Sequence, residues 1–163
     1  MGNAQHLAGI FRFGTAMMER ALSGMDRKAL LTRLAPGTNP VLWLAGHATA
    51  TRFRLAASIG APVPAFPWPE VFGKSSTMVQ DSDYPEPAEV QAQWNLVSRA
   101  LVGRLESMSD AEFAAPAPEG FPPIDAAGTL AGFLALSAYH EGYHMGQISL
   151  VRKALGLPSV LGR

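Results

Sequence analysis

The segment TLAGFLALSAYHEGYHMGQISLVRKAL, which spans Thr129–Leu155, contains no proline and is followed by Gly156 and Pro158. Proline breaks helix interiors and glycine favours the position just after a helix, so this segment predicts one long helix. The same segment contains His140 and His144, two of the four histidines in the chain. The predictions of the fold and of a functional site therefore begin from one stretch of sequence.

Three more helices are predicted in the other long stretches without interior proline. Their apolar residues recur every three or four positions, which is the period of a helix with one buried face. We place these helices at Asn3–Ser23, Pro40–Ile59 and Pro87–Met108. Asn39 is a suitable N-cap for the second helix, and Gly24 and Gly60 suit the ends of the first and second.

No segment alternates between apolar and polar residues as a half-buried strand would, so the predicted fold class is all-α. Four helices of about twenty residues, joined by long connections at 61–86 and 109–127, predict a four-helix bundle. The run Pro62–Pro69 contains Phe66 and Trp68. It either lies across the bundle as a lid or forms a surface loop whose aromatic side chains enter the core.

The composition indicates a packed chain and excludes several classes of protein. Of the 163 residues, 48% are apolar and 16% are charged, which predicts a single domain over residues 1–163. Thirteen acidic residues balance thirteen basic ones without a long basic run, so no nucleic-acid partner is expected. The absence of cysteine excludes disulfides, cysteine-ligated zinc and a cysteine nucleophile within the chain.

The location predicted from the sequence is the cytoplasm. Met1–Ile10 lacks the basic and apolar pattern of a signal peptide. The longest mostly apolar stretch, Gly128–Ala138, is too short to span a bilayer. We therefore expect a soluble protein with no membrane partner.

Three histidines are placed to form a metal site. His140 and His144 are four residues apart, which on a helix puts both imidazoles on one face with Cβ atoms about 6 Å apart. One helix rarely supplies a third ligand, so we expect it from His47 on the second predicted helix. His6, in the first turn of the first helix, is expected to be exposed and unrelated. Imidazole suits zinc, nickel, copper and iron, so these residues leave the metal open.

The segment His140–His144 also matches the HExxH motif of zinc metalloproteases, in which the glutamate is the general base. We reject that interpretation for two reasons. The extended motif has a third histidine six residues later, where this chain has Leu150, and no acidic residue follows Glu141. The sequence also lacks a strand that could hold a peptide at a sheet edge.

Two segments of the chain resemble the DinB-like superfamily. The segment His144-Met145-Gly146-Gln147-Ile148, preceded by His140 and followed by Arg152, is similar to the HxGQI signature of the last helix. The segment Asn39–His47, with its Asn, Trp and His, is similar to the second-helix signature. The resemblance implies a four-helix bundle, often homodimeric, that holds a divalent metal, commonly zinc or nickel, through His47, His140 and His144.

The resemblance also implies a class of reaction. Relatives include transferases and isomerases that use the metal to activate a low-molecular-weight thiol such as bacillithiol or mycothiol. Because this chain has no cysteine, any thiolate would come from such a cosubstrate. Two alternatives stay open: a metal-dependent hydrolase, and a non-catalytic metal-binding stress-response module that works as a dimer. Whether the protein is an enzyme at all is left open by the sequence.

Several residues are candidates for supporting the metal or recognising a substrate. Gln147 shares the helix face of His144 and could orient a bound water or a ligand histidine. Glu141 either accepts a hydrogen bond from another histidine or reaches solvent. Tyr143 either directs its hydroxyl to the site or packs in the core, and Arg152 either serves the site or stabilises the helix C-terminus. Further polar or aromatic candidates are Trp43, Arg52, Arg54 and Tyr139.

Overall fold

The computed structural model describes residues 3–73, 79–119 and 123–161, and within these ranges the chain is helical without a β-strand. Its helices, in chain order, are α1 (Asn3–Leu22), α2 (Arg27–Leu30), α3 (Val41–Ser58), α4 (Pro69–Phe72), α5 (Pro87–Ser107), α6 (Asp110–Ala114) and α7 (Leu130–Ala154). The four long helices α1, α3, α5 and α7 are the four predicted from the sequence, each end within one residue of its expected position. The all-α class and the four-helix bundle are confirmed.

Local residues explain where the long helices begin and end. Thr129 caps α7, because its Oγ1 accepts a hydrogen bond from the backbone N–H of Gly132 at 3.1 Å. Gly24 and Gly60 adopt the left-handed conformation after α1 and α3, as predicted, with φ of +75° and +73°. The prediction of Asn39 as the N-cap of α3 was wrong. Pro40 holds that position because its backbone is still extended, with ψ of 162°.

The long connections contain short structured segments that the sequence pattern did not predict. Helix α4 and a 3₁₀ turn at Asp81–Asp83 lie within 61–86, and α6 lies within 109–127. Phe66 packs against Phe53 of α3 and Phe72 of α4, with ring centroids 5.3 Å and 6.2 Å apart. The proline-rich run therefore crosses α3 with its aromatic side chains directed inward.

The contacts between helices define their order around the bundle. Helix α1 packs against α5 and α7, and α3 packs against the same two helices. Going around the bundle, the order is α1, α5, α3 and α7, so the first and second long helices are diagonal to each other. The connection from α1 to α3, which contains α2, crosses one end of the bundle.

Paired contacts also give the helix directions. Helices α3 and α5 are parallel, because Leu42 and Val90 lie together near their starts while Arg104 Nε donates to the Ile59 carbonyl at 2.8 Å near their ends. Helices α3 and α7 are antiparallel. Arg52 follows His47 along α3, whereas its partner Glu141 precedes His144, the neighbour of His47, along α7. Connecting two parallel helices requires a return along the bundle, which explains the length of the 61–86 connection.

Two apolar clusters fill the bundle. One lies around Met18, Leu42, Trp94 and Ile148, and the other around Phe11, Leu55, Leu101 and Leu134. The buried residues of α5 follow the predicted spacing of three and four, which confirms the face assigned to that helix. None of the described helices is long and apolar enough to cross a bilayer.

Candidate metal centre

His47 lies on α3 with its ring fixed by an aromatic face and a backbone acceptor. Its Nδ1 lies 2.8 Å from the carbonyl oxygen of Phe72. A carbonyl oxygen can only accept a hydrogen bond, so Nδ1 carries the proton and donates the bond. The Trp43 ring, one turn earlier, stacks on the imidazole with centroids 4.6 Å apart and an interplanar angle of 8°. The side chain is buried. These contacts leave the Nε2 lone pair of His47 available for a ligand.

His140 and His144 lie one turn apart on α7, facing His47. The Nδ1 of His144 donates to Oε1 of Gln147 at 2.8 Å, which again leaves Nε2 as the atom with a lone pair. This Nε2 is 3.1 Å from Nε2 of His140. Two helices therefore direct three imidazoles to one point, and two of the three rings have their outer nitrogen engaged.

The spacing of the three rings fits a metal ion. One ring nitrogen from each of His47, His140 and His144 lies within 4.8 Å of the others. Three nitrogens at roughly 2.1 Å from a tetrahedral ion are separated from one another by roughly 3.4 Å. Outer N–H groups that donate to a carbonyl or amide are the usual support of metal-bound histidines. The chain thus offers the donor set of a three-histidine site.

The environment keeps all three histidines neutral, which is the form that binds a metal. Burial lowers the pKa of His47 and of His144 below the usual value for imidazole. Burial, together with the positive charge that His144 and His47 would carry, lowers the pKa of His140 to about 4. Arg54 contributes a smaller repulsion that lowers the pKa of both His47 and His140.

A cleft of about 420 Å³ opens beside His144, between α7 and the chain that leads into α3. Trp43 and Gln147, which contact the histidines, also line this cleft. Of the three histidines, His144 is the one that lines the cleft, so a molecule bound there would lie beside this candidate ligand.

The sequence profile of the DinB superfamily matches residues 10–148, which include all three histidines. The chain belongs to the DinB superfamily. In this DinB-superfamily chain, the resemblance noted for the segments around His47 and His144 is thus confirmed over most of the sequence.

A solved structure shows the same fold. YfiT from Bacillus subtilis, described as "a probable metal-dependent hydrolase with an unusual four-helix bundle topology", superposes with a TM-score of 0.68 at 17% sequence identity. The match covers 94% of this chain and 88% of YfiT. No curated protein matches the DinB-superfamily chain in sequence.

Some of the residues considered in the sequence contact the histidines, one lies at the rim of the site, and one lies outside it. Gln147 contacts a histidine directly and Trp43 stacks on another. Tyr143 was weighed as a core residue or a site residue, and it lies at the rim, more than half exposed, with its ring 5.3 Å from that of His144. His6 is exposed on α1 and lies outside the cluster, as expected.

Glu141 does neither of the two things the sequence left open. Its carboxylate is buried and accepts two hydrogen bonds from Arg52, from Nε at 2.7 Å and from Nη2 at 2.6 Å. Arg52 is itself only 1% exposed, so the idea that it recognises a substrate is wrong. The two residues form a structural ion pair between α3 and α7.

Arg152 is also a structural residue. Its Nε donates to the Pro158 carbonyl at 2.6 Å, and its Nη1 donates to the carbonyls of Ala21 and Ser23 at 3.1 Å and 2.6 Å. It therefore binds the end of α1 to the C-terminal segment, away from the histidines.

Sequence reasoning missed the part that α4 plays at the site. The Phe72 carbonyl orients His47, and the Phe72 ring packs directly over Gly46. A glycine within an apolar helix, just before a candidate ligand, is the one sequence signal of this close approach.

Proposed function

We propose that this protein holds one divalent metal ion, zinc or nickel, through His47, His140 and His144 and uses it to hydrolyse a small substrate. The observation that carries the proposal is the convergence of three imidazoles, two buried and that of His140 half-buried, whose nitrogens lie within 4.8 Å of one another and whose pKa values are all lowered. The description of YfiT, which shares the fold, is consistent with this class of reaction.

The metal and the protein would contribute different parts of the chemistry. A divalent ion with three neutral histidine ligands keeps a coordination position open and lowers the pKa of a water or thiol bound there towards neutrality. The Phe72 carbonyl and the Gln147 amide oxygen keep the protons of His47 and His144 on Nδ1, so that Nε2 of each ring stays free. Trp43 covers the face of His47 and limits the access of water to it.

The surroundings favour a nucleophile that the metal alone can ionise. Glu141, the only acidic residue adjacent to a candidate ligand in the sequence, is occupied by Arg52. Among the described residues, no carboxylate oxygen belongs to the group of ligand atoms that His47, His140 and His144 place within 4.8 Å of one another. Hydrolysis at such a site depends on the lowered pKa of the bound water.

The same observation supports a second candidate, thiol transfer. A thiol is more acidic than water, with a pKa of about 8.5 when free, and loses its proton on binding a metal. A metal-bound thiol therefore loses its proton without a general base more readily than metal-bound water does. The cosubstrate would be a low-molecular-weight thiol, since the chain has no cysteine.

One assay tests both candidates. The protein is stripped with a chelator, reloaded with zinc or nickel, and assayed on a panel of p-nitrophenyl esters with and without an added thiol. We expect turnover that is lost on stripping, restored on reloading and independent of thiol. Turnover that requires the thiol would select the transferase, and turnover that survives stripping would contradict both candidates. We also expect the His140→Ala variant to lose this turnover and the matched control His6→Ala, which removes a histidine outside the cluster, to keep it.

A further inference from the structure

The cleft beside His144 is lined by uncharged residues. Of the described residues in its wall, none is Asp, Glu, Lys or Arg. Its polar groups are neutral, and they include Thr38, Asn39, Gln147 and the hydroxyl of Tyr143. Two of these are already engaged, because the Thr38 hydroxyl donates to the Ala35 carbonyl at 2.7 Å and Gln147 accepts from His144.

The apolar part of the wall contains side chains that the fold leaves uncovered. Leu34 is 52% exposed and Leu150 is 54% exposed, although both are large apolar residues. They lie in the same wall as Trp43 and Leu44 of α3 and Val151 of α7. Exposed apolar surface grouped in a concave site is typical of a ligand pocket.

The charges near the histidines lie elsewhere. Arg54, whose charge acts on His47 and His140, is exposed on α3 and does not line the cleft. Glu141 is buried against Arg52 on another face of α7. In the metal-free protein, a charged group that entered the cleft would lose hydration and meet no opposite charge among the described residues, which is unfavourable.

We infer that the cleft receives an uncharged, mainly apolar group of the substrate, placed so that the bond to be cleaved lies beside His144. The inference rests on the proposed function for the position of the reacting bond, but the binding preference of the cleft is a property of its wall. The substrate class is therefore a small neutral ester, amide or thioether-forming electrophile with an alkyl or aryl group, and not a polyanion.

The first test needs no metal. Binding of acetamide, hexanamide and adipamate to chelator-stripped protein is measured by NMR from the indole N–H resonance of Trp43. Each buried methylene contributes to binding, so we expect hexanamide to bind about tenfold tighter than acetamide or better. Adipamate has a similar chain with a carboxylate at its far end, and we expect it to lose most of that gain. Equal affinities for the three amides would overturn the inference, whatever the metal does.

A matched pair of variants locates the effect. Leu150→Asp puts a charge into the wall of the cleft, whereas Leu161→Asp makes the same change at a leucine that is 76% exposed and does not line it. We expect the preference for hexanamide to disappear in Leu150→Asp and to persist in Leu161→Asp. Loss in both variants, or in neither, would contradict the assignment of the binding group to this cleft.

The second test separates this inference from the proposed function. The zinc-loaded protein is titrated with acetohydroxamate and hexanohydroxamate, whose common head group binds an open coordination position. Binding of both, with hexanohydroxamate about tenfold tighter, would support both proposals. If neither hydroxamate binds while hexanamide still does, the proposed function fails and the inference about the cleft stands. Equal affinity for the two hydroxamates would contradict the inference and leave the proposed function intact.

Discussion

Arg52 shows how far a single residue can organise this bundle. Besides its two bonds to Glu141, its Nη1 donates to Thr15 Oγ1 at 2.7 Å and to Ser98 Oγ at 2.6 Å, and its Nη2 donates to the Phe11 carbonyl at 2.9 Å. Every N–H of the guanidinium therefore has an acceptor. Arg52 itself lies on α3, and its acceptors lie on the other three long helices, α1, α5 and α7. The Trp94 ring lies over the guanidinium at 3.8 Å.

Replacing Arg52 should destabilise the protein strongly. Arg52→Met leaves the Glu141 carboxylate buried without its cation, and we expect the free energy of unfolding in urea to fall by about 3–5 kcal/mol. The exposed neighbour Arg54→Met is the control, with an expected change within about 0.5 kcal/mol. The double variant Arg52→Met/Glu141→Leu should recover part of the loss because no buried charge remains. Equal stability of the two single variants would contradict the role given to Arg52.

Gln147 should matter for metal affinity more than for folding. In Gln147→Leu the Nδ1 proton of His144 loses its acceptor, and we expect the affinity for zinc to fall about 10–100-fold. Competition with a chromophoric chelator measures this change, with urea unfolding of the metal-free protein as the stability control. Gln93→Leu makes the same substitution at a half-buried glutamine on α5. An unchanged affinity in Gln147→Leu would show that the His144 contact does not support a metal.

At this scale the sequence predicts ligand candidates better than their partners. His140 and His144 share a face because of helix geometry alone, so their spacing was sufficient. The partner of Glu141 could not be predicted, because Arg52 lies on another helix and the pairing depends on how α3 and α7 are rotated against each other. The same holds for Arg152, whose three acceptors are carbonyls at the ends of distant segments.

At the scale of elements, the docking of α4 on α3 is the feature on which the geometry of His47 depends. A Cβ atom on Gly46 would overlap the ring of Phe72, so only glycine lets α4 approach this closely. The backbone carbonyl of the same Phe72 accepts the hydrogen bond from Nδ1–H of His47. The packing of α4 on α3 therefore also determines the orientation of the His47 ring.

The Gly46→Ala variant tests this coupling. We expect a loss of about 1–3 kcal/mol in unfolding free energy, because the added methyl displaces Phe72, together with weaker zinc binding. Gly103→Ala on α5 is the matched control. Apart from its chain neighbours and the backbone of its own helix, no atom lies within 4 Å of the added Cβ, so the higher helix propensity of alanine should stabilise the protein by about 0.5–1 kcal/mol. Full zinc affinity in Gly46→Ala would contradict the dependence of His47 on α4.

The cap of α6 gives a prediction of pH dependence. The backbone N–H of Ser109, then the Arg104 guanidinium and the Ser109 hydroxyl, lower the pKa of Glu112 from 4.5 to about 2. The folded state therefore favours the ionised carboxylate. Its stabilisation is complete above the unfolded pKa and is lost as the pH falls through the folded value. The difference in urea midpoint between wild type and Glu112→Gln should be largest above about pH 5 and shrink towards pH 2. A difference that stays constant with pH would rule out this cap.

At the scale of the whole molecule, the topology separates what the sequence predicts from what it does not. Helix periodicity and the positions of proline and glycine were sufficient for the four long helices. The order α1, α5, α3, α7 could not be predicted from them, because it depends on which apolar faces meet. The length of the 61–86 connection allows two consecutive long helices to be parallel, but it does not require this. The cleft was missed for the same reason, since its wall combines Leu34 and Thr38, which precede α3, with residues of α7.

The metal content of the folded protein is the quantity that tests the three-histidine site most directly. Wild type, His144→Ala and His6→Ala are incubated with equimolar zinc and nickel, separated from free metal by gel filtration and analysed by plasma mass spectrometry, with circular dichroism to verify folding. We predict about one equivalent of metal per chain in wild type and in His6→Ala, and almost none in His144→Ala. A folded wild type without metal, or a His144→Ala variant that retains a full equivalent, would contradict the three-histidine site.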